Sequence, residues 1–366
     1  MICQLQFNLT LNYRSNSTRG LKSPFVADFN NDTLLDIVFF NYGTSSLHVL
    51  LGDGRGNYSD EIQTYVGSFT TWAFYISSGD FDHDENLDIV MTSENRDYVY
   101  FLFGFGNGSF YELTTYYMGN LIRTRGIGLY DFDQDSNLDV ALASQSENTI
   151  FVLLGYGNGS FADKKAYYAG PNTNPSSVAL ADMNNDGYQD IVYNNIMTRT
   201  VGVLLGNGDG TFRTQIKSSV GGYYNPSYIA IGNFNNDRYP DVTISYSEGF
   251  RLGVVFGYGN GSMSDLIRFP LGNKTYYERS ATGDLNNDGF DDIVAASISP
   301  YVIYIYISDG HQNFNIQSVY TAPFNGLYPW MNVADFNNDH CQDILASDDT
   351  NGAIFILLNT CLCQHN

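Results

Sequence analysis

Residues 182–192 read DMNNDGYQDIV, and the same pattern stands at six other places in the chain. It is DFNNDTLLDIV from Asp28, DFDHDENLDIV from Asp80 and DFDQDSNLDVA from Asp131. Beyond Asp182 it continues as NFNNDRYPDVT from Asn233, DLNNDGFDDIV from Asp284 and DFNNDHCQDIL from Asp335. The first spacing is 52 residues and the other five are 51. A period this constant over 366 residues marks a repeat architecture, in which each unit buries its apolar face against its neighbours. The chain, 1–366, is expected to form one domain with units starting near 21, 72, 123, 174, 225, 276 and 327.

Each unit reads as four short strands. The first ends at the motif, as in SSVALAD up to Asp182. A small residue precedes the motif in six of seven units (Ala27, Gly79, Ala181, Gly232, Gly283, Ala334; Tyr130 is the exception), which suits an innermost strand crowded near an axis. The second strand opens on pairs such as Ile191-Val192, and the third is a VLLG-type run ending at Gly52, Gly104, Gly155, Gly206 or Gly257. A glycine-rich turn follows, with a fourth strand starting at Tyr58, Phe110, Phe161, Phe212, Met263 or Phe314. Aromatic and β-branched runs between Gly and Asn turns are strand and hairpin signals. Four strands per repeat of about 40–50 residues predict an all-β fold, a seven-bladed β-propeller with four antiparallel strands per blade. The last unit lacks a fourth strand. Phe7 lies 21 residues before Asp28, just as Phe161 lies 21 before Asp182, so residues 7–14 are expected to complete the last blade. Cys3 and Cys361 both fall in third-to-fourth-strand turns by this register, and Cys3 is expected to bond Cys361 or Cys363. Cys341, in the seventh acidic loop, receives no partner, because four cysteines allow three pairings.

Within each motif, side-chain oxygens recur at positions 1, 3, 5 and 9. The candidate metal ligands are Asp28, Asn30, Asp32 and Asp36; Asp80, Asp82, Asp84 and Asp88; Asp131, Asp133, Asp135 and Asp139; and Asp182, Asn184, Asp186 and Asp190. The later loops supply Asn233, Asn235, Asp237 and Asp241; Asp284, Asn286, Asp288 and Asp292; and Asp335, Asn337, Asp339 and Asp343. Alternate residues of a tight turn can point inward, and calcium takes six to eight oxygen ligands in flexible geometry. Nothing clusters His with Cys as zinc requires. The four positions hold 22 Asp, matching a net charge of −22, which seven divalent ions would reduce to −8. The competing account is an Asx-turn loop whose side chains serve only its own backbone. The fifth loop is the weakest, with Asn233 at position 1 and Arg238 inside the turn.

The D-x-[DN]-x-D-x-x-x-D loop and the LFGFGNGSF- or LLGNGDGTF-type hairpin resemble the FG-GAP/VCBS repeats, whose relatives include the integrin α-subunit head propeller and fungal integrin-like propeller lectins. The resemblance covers all seven units. It implies structural calcium, up to seven ions, at positions 1, 3, 5 and 9 on the face of the first-to-second-strand loops. Glycine at position 6 occurs only at Gly187 and Gly289, and all seven loops are acidic, so the chain looks simpler than an integrin head.

The acidic balance repels phosphate backbones and excludes nucleic-acid binding. No run of about 18 apolar residues exists to insert in a membrane. The first twenty residues hold no continuous apolar stretch, so a leader was removed or the chain is a piece of a larger surface protein. Eight Asn-x-Ser/Thr sequons stand at Asn8, Asn16, Asn31, Asn57, Asn107, Asn158, Asn260 and Asn273. Those at Asn57, Asn107, Asn158 and Asn260 lie in third-to-fourth-strand turns and are the expected glycosylation sites, pointing to an extracellular setting. On the opposite face the fourth-to-first connections carry Trp72, Tyr223, Tyr224, Tyr276, Tyr277, Tyr328 and Trp330, candidate contacts for a ligand. The five His residues form no catalytic spacing, and the carboxylates are accounted for by metal, so no enzyme is expected. The sequence therefore predicts a monomeric adhesion or recognition module for an extracellular protein or glycan, or alternatively a multivalent lectin.

Overall fold

Six repeats each form their own four-stranded antiparallel sheet, and a seventh sheet of the same kind is shared between the two ends of the chain. The computed structural model describes residues 5–14, 20–67, 73–93, 97–221, 224–246, 251–270, 277–298, 301–321 and 329–360, and every regular element among them is a strand. Blade 1 comprises Leu21–Ala27, Asp36–Asn41, Ser46–Gly52 and Tyr58–Tyr65, from the axis outward. Blade 4 repeats this with Pro175–Ala181, Asp190–Asn195, Thr200–Leu204 and Ile216–Ser219. The innermost strands of successive blades lie against one another around the axis. They approach closely at Gly126, where a Cβ would stand 2.4 Å from the backbone N of Val178 in the next blade.

The apolar core is divided among the blade interfaces. The second strand of each blade is buried along its whole length, as in Asp36–Asn41 and Asp190–Asn195, so its side chains pack against both neighbouring sheets. One cluster joins blades 1 and 2 through Val38, Phe40, Ile89 and Met91; another joins blades 7 and 1 through Ile37, Phe39, Leu345 and Ile356. Seven clusters serve seven interfaces, so the ring is sealed all round.

Blade 7 is built from both ends of the chain. Met331–Ala334, Asp343–Asp348 and Ala353–Asn359 are joined on the outside by Phe7–Arg14. The pairing runs from Phe7 opposite Asn359 to Arg14 opposite Ala353, with one bulge between Leu11 and Tyr13. Phe7 and Leu9 pack against the core between blades 6 and 7, and Tyr13 against that between blades 7 and 1. A polar chain adds a clasp: Tyr13 Oη donates to Glu61 Oε1 at 2.9 Å, Glu61 meets His48 Nδ1, and His48 Nε2 lies 2.7 Å from Thr44 Oγ1. Lys22 of blade 1 and Asp349 of blade 7 form a largely buried ion pair nearer the axis.

The outer hairpin departs from expectation in three blades. Phe161, Phe212 and Met263 make only isolated bridges to Gly155, Gly206 and Gly257. Their fourth strands are four residues long, Lys165–Tyr168, Ile216–Ser219 and Ile267–Pro270. In all three the residue after the bridge still bonds the third strand, Ala162 N–H to Leu154 O, Arg213 N–H to Leu205 O and Ser264 N–H to Phe256 O, each at 2.8 Å. In blade 3 the segment is also braced by Tyr116 of the preceding blade, which donates its hydroxyl to Ala162 O at 3.2 Å and accepts the Lys164 N–H at 3.0 Å. Cys3, Cys361 and Cys363 lie outside the described residues; Cys341 is buried and disulfide-bonded.

Candidate metal centres

The position-9 carboxylate is the frame of each loop. Asp190 is fully buried; its Oδ2 accepts the Met183 N–H and its Oδ1 the Gly206 N–H, each at 2.8 Å. The motif start is thereby tied to the end of the third strand. Asp36, Asp88, Asp139, Asp241, Asp292 and Asp343 repeat both bonds with their own loops. Burial pushes these carboxyls up, to about 6 for Asp36 and Asp190, about 7 for Asp88, Asp139, Asp241 and Asp343, and about 8 for Asp292, against the opposing pull of the two N–H donors. Replacing Asp190 with Ala leaves two buried N–H groups without acceptors, each costing about 1–3 kcal/mol. Urea unfolding of Asp190→Ala should show a loss of about 2–6 kcal/mol, far beyond that of Asp186→Ala. Equal small losses would refute the framing role.

Positions 1 and 5 organise the turn itself. Asp182 accepts the N–H groups of Asp186 and Gly187 at 3.1 and 2.8 Å, and Asp186 accepts that of Tyr188 at 3.1 Å. Position 3 separates the loops into two kinds. Where it is Asn, the amide closes the ring internally: Asn184 Nδ2 donates to Asp186 Oδ2 at 2.8 Å while Asn184 Oδ1 accepts the Asp186 N–H at 3.1 Å. The amides of Asn30, Asn235, Asn286 and Asn337 do the same. In blades 2 and 3 the residue is Asp82 or Asp133, which has no proton to donate. Oδ1 of each is buried without a hydrogen-bond partner. Burial, then the charge of Asp84 or Asp135, pushes both carboxyls up.

These same loops gather three carboxylates each: Asp80, Asp82 and Asp88, and Asp131, Asp133 and Asp139, with one oxygen from each within 4.8 Å of the others. That spread suits oxygens around a cation at roughly 2.3–2.6 Å. The donor set is all oxygen, and the orphaned Oδ1 atoms supply the unmet demand, so the residues fit calcium. Other loops are less suited. Arg213 ion-pairs with Asp186 at 3.2 Å in loop 4. In loop 5, Asn233 leans on the next blade, its N–H donating to Asp291 Oδ2 at 2.8 Å, and Arg238 lies over Tyr239.

Neighbouring loops are also linked from blade to blade. Position 4 takes a left-handed φ in all seven, from Asn185 at 56° to His83 at 62°. From there Asn31 Nδ2 donates to Asn86 Oδ1 at 2.9 Å, and His83 Nε2 lies 2.7 Å from Asn137 Oδ1, one blade on. The third-to-fourth-strand turn packs on this seam: Gly157 has φ +66°, and a Cβ there would stand 2.1 Å from Asn137 Oδ1.

The four sequon residues of these turns, Asn57, Asn107, Asn158 and Asn260, are exposed. In three of them the Asn Oδ1 accepts the Ser hydroxyl two residues on, at 2.6 Å. Beside those three stand Phe105, Tyr156 and Tyr258, which are 58%, 60% and 60% exposed. The sequence reading passed over them; their G-[FY]-G-N-G-S setting in three blades was the available signal. Of the candidate ligand aromatics, Trp72, Tyr223, Tyr276 and Tyr328 lie outside the described residues, and Tyr277 is described in its backbone only. Tyr224 packs against the core between blades 4 and 5, and Trp330 is only 8% exposed.

A model of the FG-GAP-like repeat matches residues 28–91, 80–142, 131–193 and 284–346. No curated protein sequence matches the chain. Among solved structures, BBS1N in complex with ARL6DN is similar with a TM-score of 0.66 and 10% identity, over 98% of this chain and 100% of that one. An Agrocybe aegerita lectin described as recognising non-reducing terminal N-acetylglucosamine is similar with a TM-score of 0.59 and 18% identity, over 83% and 81% of the two chains. At such identities the likeness is one of fold.

Proposed function

The chain belongs to the FG-GAP-like repeat family, and from that premise we propose that it is a non-enzymatic extracellular recognition propeller, stiffened by calcium, which binds glycans at several blades. The observation that carries the glycan reading is the trio Phe105, Tyr156 and Tyr258: exposed rings at equivalent places on the loop face, the surface on which a sugar stacks. Repeated weak sites of this kind gain through multivalency. The lectin neighbour and the exposed sequon turns support the same setting. Calcium, up to seven ions, would be held by positions 1, 3, 5 and 9, most strongly in blades 2 and 3. It would supply charge compensation that fixes the loops beside the rings.

A second reading, a single protein ligand, is favoured by asymmetry on the opposite face. Tyr65, Tyr117 and Tyr168 are exposed at the outer-strand ends of blades 1 to 3, where blade 4 has Ser219. A glycan array probed in millimolar calcium separates the two. The glycan reading expects binding to a defined sugar class that falls at least tenfold in the triple variant Phe105→Ala, Tyr156→Ala, Tyr258→Ala. A blank array from folded, calcium-loaded protein would overturn it.

A further inference from the structure

Five residues before each motif, at one register near the start of the innermost strands, stand Ser23, Tyr75, Gly126, Ser177, Tyr228, Arg279 and Trp330. Because the first strand runs toward the acidic loops, this level lies near the mouth on the other face. Ser23 and Ser177 are buried against neighbouring strands, whereas the four large residues, Tyr75, Tyr228, Arg279 and Trp330, meet one another. The Arg279 guanidinium lies 3.1 Å from the centre of the Trp330 ring, 5.0 Å from that of Tyr228 and 5.2 Å from that of Tyr75. Tyr75 and Trp330 themselves meet edge to face at 5.6 Å. Blades 2, 5, 6 and 7 thus build one cage around one cation.

The cage holds the guanidinium but does not satisfy it. Ring faces attract the positive charge and accept none of its in-plane N–H groups. Nη1 is buried without a partner, and among the described residues no hydrogen bond or ion pair reaches Arg279. In a chain carrying 39 acidic and 17 basic residues, an axial arginine that meets no carboxylate among the described residues is an unmet demand for an anion. Planar, paired donors on a guanidinium held by stacking match a carboxylate, which they bind in two parallel hydrogen bonds.

We propose that the axial mouth is a second ligand site, distinct from the rim rings, in which Arg279 anchors the carboxylate of a sugar acid. The choice of a sugar acid over other carboxylates rests on the glycan reading above. Trp330 supplies the readout. With Trp72→Phe removing the other tryptophan, Trp330 emission is followed while the protein is titrated with glucuronic acid, glucose, acetate or a short Asp/Glu peptide. A saturable change is expected with glucuronic acid and none with glucose. Arg279→Gln, checked for an unchanged melt, should weaken it at least tenfold, with Arg279→Lys intermediate. No saturable change, or equal binding by Arg279→Gln, would overturn the site; equal responses to acetate, or a stronger one to the peptide, would overturn the sugar acid. A blank glycan array with a positive Trp330 titration would sink the rim reading alone, and the reverse pattern would sink the axial one.

Discussion

Deleting residues 1–14 should give a protein that no longer folds as a monomer, rather than one that is merely less stable. The strand Phe7–Arg14 supplies the whole outer edge of blade 7. Its loss strips the partner from Ala353–Asn359, whose sequence AIFILLN is apolar and β-prone, and an uncovered edge of that kind recruits another chain. Phe7, Leu9 and Tyr13 are partly buried, so each contributes less than the roughly 1.5–3 kcal/mol of a fully buried side chain. Their loss adds to that of the whole ladder, from Phe7 opposite Asn359 to Arg14 opposite Ala353, against a domain stability of roughly 5–15 kcal/mol. The clasp from Tyr13 through Glu61 to His48 disappears as well. Size-exclusion chromatography should show oligomers or aggregate, and a synthetic peptide of residues 5–14 added during refolding should recover monomer. Leu9→Asp should reproduce part of the loss. A soluble truncated monomer melting within about 3 °C of the parent would show that the ring is held by its blade interfaces and not by the closing strand.

That closing strand was legible in the sequence because a repeat supplies its own ruler. The offset from Phe7 to Asp28 equals the offset from Phe161 to Asp182. Local features with a constant spacing, the motif and the glycine turn, transferred in the same way. What failed to transfer depends on neighbours. Position 9 looks like any other acid in DxNxDxxxD, yet it is the one whose two oxygens are both taken by strand ends, because only there does the chain re-enter the sheet. The brace that Tyr116 of blade 2 gives Ala162 and Lys164 of blade 3 is likewise set between blades. The Arg279 cage draws on four blades far apart in sequence, and no local pattern announces a meeting that only ring closure produces.

Removing calcium should lower the melting temperature by on the order of 10 °C at pH 8.5, and by much less at pH 5.5. Two sites held a hundredfold above their Kd contribute about 2.7 kcal/mol each, which for a chain of this size corresponds to a shift of that order. The pH dependence follows from the buried position-9 carboxyls. In the metal-free fold they are raised to about 6–8 from an ordinary value of 3.8, so the fold holds their protons more tightly than the unfolded chain does. Metal-free stability is therefore greatest at low pH and declines as pH rises through 6–8, where the acids ionise inside the loops without a counter-charge. Calcium acts in the opposite sense, since it needs those acids ionised. The gap between calcium and EDTA melts should widen steadily from pH 5.5 to 8.5. Asp82→Asn with Asp133→Asn gives the sharper test. Each new amide can close its loop as Asn30 and Asn184 do, so the metal-free protein should melt no lower than the parent, and more than half of the calcium gain should vanish. Each substitution removes an orphaned oxygen and one charge from a cluster of three carboxylates. A calcium gain unchanged in the double variant would place the working ions in the Asn-containing loops. A gap indifferent to pH would separate the buried carboxyls from metal binding altogether.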